Sequence, residues 1–359
     1  MESLEISEIH VYPVKSCGGM SLDQAVMTPK GFRFDREWVV TSDAGKFMTQ
    51  RQHPEMATIA AEVTPRALVE DPSAEVGADT ALLLRAPGMA ELRVPLADPA
   101  GARTRVRVWD WEGSGLDEGE EAAAWLTELL GKPARLVRFV GRAGGPGSVE
   151  EDPARRATPS EWTPEGLATT TPEVAFADAF PKGPLSLNRF RGNIVVAGAE
   201  AWAEDGWARL AAPSRGVDLA LVKPCARCAV PTVNQETGDA GYEPTRTLQK
   251  IRSGKVLGWH ERVPPFKGAV FFGWNALASG AEGGVLARGD ALTVLERRDQ
   301  VPVPREAAQA AAPADQPAQA RQEPPAMSTT RKMFLLLLFF AVRALFSYFS
   351  GKKKETSTA

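Results

Sequence analysis

Apolar residues recur among polar ones across residues 4–14, the spacing of a strand with one buried face. A second short apolar run at 38–40 is followed by a Ser-Asp-Ala-Gly turn at 42–45. Residues 81–84 and 104–108 read as further strands. In the latter, Thr104, Val106 and Val108 alternate with Arg103, Arg105 and Arg107, a half-buried pattern. One helix is predicted over 119–130, where Trp125, Leu126, Leu129 and Leu130 form a stripe at helical spacing. Asp117, Glu118, Glu120 and Glu121 sit at its start, where the helix dipole favours acids, and Gly131 and Pro133 end it.

The pattern then changes. Residues 141–172 are rich in Gly, Pro, Ser and Thr and read as a long loop. Regular apolar runs resume at 193–197 and at 219–222, the second predicted to end at a cysteine pair, with later strands at 270–272 and 291–295. No internal repeat is evident. A Pro/Ala/Gln-rich stretch at 301–326 has the composition of a linker. Beyond it, residues 333–349 are almost wholly apolar, interrupted by Arg343 and Ser347. Arg331 and Lys332 precede this run, and Lys352, Lys353 and Lys354 follow it. A spanning helix needs about 17–25 apolar residues, so the run suits a short membrane anchor, with a helix lying in the membrane surface as the alternative. Its place in the sequence implies a tail anchor with the body facing the cytosol. The basic flanks favour the mitochondrial outer membrane over the endoplasmic reticulum.

Composition narrows the function. The 359 residues suffice for two domains, with 43% apolar and 24% charged residues and a net charge of -3. The body holds no long Lys/Arg tract, which argues against nucleic-acid binding. The cysteines are Cys17, Cys225 and Cys228, an odd and low count that argues against a disulfide framework. Three histidines leave little for a His-rich metal site, and the first residues carry no secretory h-region.

LVKPCARC at 221–228 is the strongest local signal. Pro224 is expected to set a turn after a strand, before two thiols at C-x-x-C spacing. Structural zinc would need Cys17 and a distant histidine as further ligands. A redox dithiol would need a helix where Pro231 stands. A single thiolate ligand to a soft or high-valent metal is a third reading, with Arg227 favouring the thiolate; two ordinary buried cysteines are a fourth. Elsewhere, HVYPVKSCGG places Lys15 and Ser16 at a strand end, GFRFDREWVV places Arg36 ahead of a strand, and NRFRGNIVV places Arg191 and Asn193 at the entrance to another. Singly these read as solvated charges. Together they suit an anionic, phosphate-bearing ligand.

These segments, with MTQRQ at 48–52, GLDEGEEAAAWL at 115–126, FADAFP at 176–181, NQETG at 234–238 and GDALTVL at 289–295, resemble the MOSC family. The resemblance is to the two-part proteins, and within them to the mitochondrial amidoxime-reducing components and their bacterial relatives. It covers nearly all of residues 4–297. It implies a mixed, β-rich α+β fold with peripheral helices. The expected parts are a MOSC N-terminal β-barrel-like domain with its connecting helix (1–140), the Gly/Pro-rich loop (141–172), a MOSC β-barrel domain (173–300), a disordered linker (301–330) and a C-terminal membrane-anchor helix (331–354).

The resemblance also implies a molybdenum cofactor (Mo-molybdopterin), with Cys228 as the metal ligand and catalytic residue. Lys15, Ser16, Arg36, Arg191 and Asn193 match positions that grip the pterin and its phosphate. Arg227 sits beside the ligand, Asp178 lies in a pocket-lining segment, and Cys225 is taken as structural. The implied chemistry is reduction of N-hydroxylated substrates, amidoximes and hydroxylamines, by oxygen transfer to molybdenum, with electrons from an NADH-dependent reductase through cytochrome b5. Two alternatives stand beside it: a non-catalytic carrier of the cofactor or of sulfur, and a membrane-tethered scaffold without cofactor. The chain departs from the family's pattern in the short KGPLSL connection at 182–187, and in Asn234 where relatives often carry aspartate.

Overall fold

The strands close on themselves. In the computed structural model, which describes residues 4–28, 31–97, 102–108, 111–139, 165–169, 185–279 and 284–302, the largest sheet draws on both halves of the chain. Its strands are β1 (Leu4–Val11), β2 (Met20–Leu22), β3 (Glu165–Thr169), β4 (Ile194–Ala197), β5 (Trp207–Ala212), β6 (Val217–Ala226), β7 (Phe271–Ser279) and β8 (Ala291–Arg297). The hydrogen-bonded order is β4-β3-β7-β6-β5-β8-β1-β2, and β4 pairs with β1 as well, so the sheet becomes a barrel with β2 appended. Closure removes the exposed sheet edges that would otherwise pair with other chains.

The closing strand is the first one. Leu4, Ile6, Ile9 and Val11 are buried on β1, which runs antiparallel to both β4 and β8. A strand from residues 4–11 thus completes a barrel whose other strands come from residue 165 onward. Trp207 on β5 and Trp274 on β7 are fully buried within it; each large aromatic removes about 150–250 Å² from water.

Smaller sheets pack around the barrel. One joins Trp38–Thr41, Arg135–Arg138, Trp111–Asp117 and Arg103–Val108. A second joins Ala60–Thr64, Ala81–Arg85 and Leu92–Pro95. The molecule is β-rich with few helices, as the alternating patterns and the family resemblance imply. The predicted helix is present as α1 (Glu120–Leu130), with Trp125, Leu126 and Leu130 buried and Gly131 in the left-handed conformation just past its end.

Four readings are corrected or refined. Pro224 does not end a strand: β6 continues through it to Ala226, and the ladder with β7 is irregular between Pro224 and Ala226, where a residue without an N–H is tolerated. Within the stretch read as a loop, Glu165–Thr169 forms β3, parallel to β4 and antiparallel to β7. Asp117 and Glu118 part ways at the helix start. Asp117 ends a strand, binds Arg135 and accepts the N–H of Gly119 at the helix N-terminus (2.8 Å), while Glu118 is buried against Arg138 instead. Asp178 and the proposed anchor at 331–354 lie outside the described residues; among the described residues no helix is long and apolar enough to cross a membrane.

Candidate functional site

β1 ends at Val11, and the next five residues, Tyr12 to Ser16, run alongside residues 36–38. The Arg36 N–H donates to the Tyr12 carbonyl (2.8 Å), the Trp38 N–H to the Pro13 carbonyl (3.1 Å) and the Lys15 N–H to the Trp38 carbonyl (2.8 Å). Pro13 cannot continue the β1 ladder, which is why the chain turns aside here. Across from these segments, Arg191 caps a 3-10 turn at Leu187–Phe190, and Asn193 leads into β4. Two loops of the first half therefore face one of the second.

Backbone conformation marks the same residues. Among the described residues, five non-glycine positions have positive φ, and three of them are Ser16 (66°), Arg36 (54°) and Arg191 (55°). Left-handed backbone costs an L-residue free energy and persists where the surroundings impose it, most often at functional sites. Three of the positions proposed from sequence to grip a ligand carry that strain.

The side chains interlock. Arg36 pairs through Nη1 with Asp35, donates from Nη1 to Asn193 Oδ1 (2.9 Å) and from Nη2 to the Arg191 carbonyl (2.9 Å). Asn193 Nδ2 donates to the His10 carbonyl (3.0 Å) and to Asp35 Oδ1 (3.0 Å). The Tyr12 ring touches two guanidiniums, with Arg191 4.2 Å and Arg36 5.1 Å from its centroid. Such cation–π contacts hold charged groups in place without neutralising them.

What remains is a surplus of positive charge. Arg191 is 9% exposed; its Nη1 donates to the Cys17 carbonyl, and its Nη2 is buried with no hydrogen-bond partner. Burial lowers the Arg191 pKa to about 10, with Arg36 adding to the effect and Tyr12 opposing it. Burial also lowers the Lys15 ammonium from 10.5 to about 8; Arg36, Arg191 and Arg51 push it the same way, and the Cys228 sulfur opposes them. Arg36, Arg191, Arg51 and Cys228 are thus all within electrostatic reach of the Lys15 ammonium. Like charges gathered in a buried place are costly unless an anion joins them.

Cys228 is exposed, two residues beyond β6, whereas Cys225 is half-buried and Cys17 fully buried. Burial pushes the Cys17 thiol up to about 12, which keeps it protonated. Among the described residues no three His, Cys, Asp or Glu side chains come together as a metal site, so the zinc reading through Cys17 has no support. The three cysteines are all free thiols.

Arg227 spends part of its hydrogen-bonding capacity on main-chain carbonyls. Its Nε (2.8 Å) and Nη2 (2.5 Å) donate to the Phe272 carbonyl and its Nη1 to the Phe190 carbonyl (2.8 Å). These bonds tie the cysteine loop to β7 and to the turn before Arg191. Conversely, sequence reasoning assigned no role to Tyr12, Asp35 or Arg51. Each is adjacent to, or within, a quoted motif, so only proximity in the sequence pointed to them. Gln50 and Gln235 exchange hydrogen bonds of 2.9 and 3.1 Å, joining the MTQRQ loop to NQETG beside the same site.

Comparison with known proteins agrees with this architecture. Residues 3–133 match the model of the MOSC N-terminal beta barrel domain, and residues 167–293 match the MOSC domain. The Bos taurus mitochondrial amidoxime reducing component 2 is 32% identical over 257 residues, covering 69% of this chain and 72% of that protein. The Homo sapiens mitochondrial amidoxime-reducing component 1 is 31% identical over 258 residues, with the same coverage of 69% and 72%. The Danio rerio molybdenum cofactor sulfurase is 28% identical over 273 residues; the match takes in 71% of this chain and 31% of that one. A barrel closed by strands from both halves, strained cationic positions at its rim and these matches converge: the chain belongs to the MOSC family, in the two-part group that contains the mitochondrial amidoxime reducing components.

Proposed function

We propose that this protein binds a molybdenum-pterin cofactor and reduces N-hydroxylated small molecules, amidoximes or hydroxylamines. The observation that carries this reading is the buried, partly unpaired cation cluster with an exposed thiol beside it. A phosphate-bearing, metal-containing anion satisfies both: the orphaned Arg191 Nη2 gains an acceptor, and the Cys228 sulfur gains a metal. Lys15, Arg36 and Arg191, with Ser16 and Asn193 beside them, would hold the phosphate and the pterin. Cys228 would be the protein's metal ligand. Arg51 would add charge to the cradle, and Arg227 would hold the cysteine loop without touching the ligand.

The cofactor, when bound, supplies the two-electron chemistry; the protein supplies binding, orientation and electrostatics. For an amidoxime the N–O bond breaks, two electrons and two protons enter, and an amidine and water leave. Names of the relatives support this substrate class. Electron delivery by cytochrome b5 and an NADH-dependent reductase is part of the proposal. So is attachment to a membrane, with the mitochondrial outer membrane favoured, through the apolar run at 333–349. A second reading, a carrier of the cofactor or its sulfur, is favoured by the match to a molybdenum cofactor sulfurase. Reduction of benzamidoxime by the purified full-length protein with an artificial electron donor separates the two. Turnover supports the reductase; a molybdenum-loaded protein that leaves benzamidoxime unchanged supports the carrier.

A further inference from the structure

Asp35 forms an ion pair with Arg36 of the cationic cradle, and by charge alone it is out of place there. A negative group beside an anion site repels the anion. Its side chain is only 3% exposed, so water does not screen it. Its bonding explains its presence. Oδ1 accepts from the Tyr12 N–H (2.8 Å) and from Asn193 Nδ2 (3.0 Å), while Oδ2 pairs with Arg36 Nη1. The three donors come from three separate segments: the end of β1, the strained turn at 34–36 and the entrance to β4. Asp35 thus joins both halves of the chain at the point where the cradle forms.

Arg36 depends on that junction. Its side chain is 22% exposed and could swing toward water. Pinned by Asp35, its fork instead reaches Asn193 Oδ1 and the Arg191 carbonyl. The contact to the Arg191 carbonyl also braces the left-handed Arg191 backbone. Tyr12, whose ring lies against both guanidiniums, is held by its own N–H on the same carboxylate.

We propose that Asp35 is a positioning residue of the anion cradle, holding Arg36, Asn193 and Tyr12 so that Lys15, Arg36 and Arg191 converge on one anionic group. This rests on the cofactor-binding reading for the identity of that group, though not for its anionic character. Holding two long cationic side chains in one place in advance removes an ordering cost at the moment of binding. That gain outweighs the repulsion from a single carboxylate whose charge is already paired with Arg36.

The test uses the full-length protein made in a host unable to synthesise the pterin, with inorganic phosphate as probe at fixed pH and ionic strength. Asp35→Asn keeps an oxygen for the Tyr12 N–H but loses the charge that fixes Arg36. It is expected to weaken phosphate binding roughly tenfold, the scale of one charge-assisted hydrogen bond. Asp35→Asn combined with Arg36→Gln should bind no more weakly than Arg36→Gln alone, because Asp35 acts through Arg36. Unchanged or tighter phosphate binding in Asp35→Asn overturns the proposal, as do additive losses in the double variant. If Asp35→Asn does not fold, Arg36→Lys decides. It keeps the charge, but its donors share one nitrogen and cannot copy the fork that spans Asn193 and the Arg191 carbonyl, so weakened binding supports the proposal and wild-type binding overturns it. Molybdenum content of the wild type from a cofactor-producing host is measured separately. Its absence would sink the cofactor reading, while the phosphate results still judge Asp35.

Discussion

Two arginines of this protein are equally buried and differently employed. Arg138 and Arg191 are each 9% exposed and each lies against an aromatic ring, Trp38 at 5.1 Å and Tyr12 at 4.2 Å. Arg138 is complete. Its Nε (2.6 Å) and Nη2 (3.1 Å) donate to Glu118, and Nη1 and Nη2 donate to the carbonyls of Leu96 and Pro95, both at 2.8 Å. Trp38 Nε1 donates to the same Glu118 (2.6 Å). Arg191 has one carbonyl and an orphaned nitrogen, with Arg36, Lys15 and Asp35 as charged neighbours. A buried arginine with a carboxylate is part of the fold; one held among other cations is built for something outside it. The two sites share a short stretch of chain, since Arg36 joins one and Trp38 the other.

Removing each arginine's surroundings should expose this difference. The largest effect is expected from Glu118→Ala, which strands Arg138 as a lone buried charge. About 3–5 kcal/mol of stability should be lost, measured by urea unfolding. Arg191→Gln should change the stability of the cofactor-free protein by no more than about 1 kcal/mol. Anion binding should fall in the same variant by about 1.5–3 kcal/mol, read by titration with sulfate. If Arg191→Gln instead unfolds the protein as Glu118→Ala does, the two arginines are alike and the distinction fails.

Arg227 should behave like Arg138 on a smaller scale. Arg227→Gln leaves two carbonyls short of donors and is expected to cost about 1–3 kcal/mol of stability. Sulfate affinity should change less than in Arg191→Gln. A larger loss of sulfate binding than of stability would return Arg227 to the cradle.

The smallest expected effect is on pH dependence. Lys15 falls to about 8 in the folded protein from 10.5. Between those values the unfolded chain holds the extra proton. The group therefore opposes folding below about pH 8, and stability recovers as pH rises from about 8 toward 10.5. Anion binding runs the other way: it is strongest where Lys15 is charged and weakens as pH rises through about 8. Sulfate, whose charge is constant over this range, reports it cleanly. Lys15→Met should flatten the profile.

The strands, the single clear helix and the cationic positions were legible because each has a local signature. Alternation marks a half-buried strand, and a Leu/Trp stripe closed by Gly131 marks a helix. Lys15, Arg36 and Arg191 were legible only through motifs in a familiar order, since a charge at a strand end looks the same whether solvated or functional. Partners distant in the chain were not legible. Nothing local tells that Glu118 meets Arg138 rather than the helix dipole, or that Asp35 reaches Asn193 across 158 positions. Nor does local pattern show β6 passing through Pro224, because the irregular ladder that admits it belongs to β7.

The most direct measurement is molybdenum per chain in the purified full-length protein and in Cys228→Ala and Cys225→Ala. The metal should be present in the wild type, lost in Cys228→Ala and largely kept in Cys225→Ala. A wild type without molybdenum, or equal retention in Cys228→Ala, would contradict the assignment of this thiol and this cradle to one metal-bearing anion.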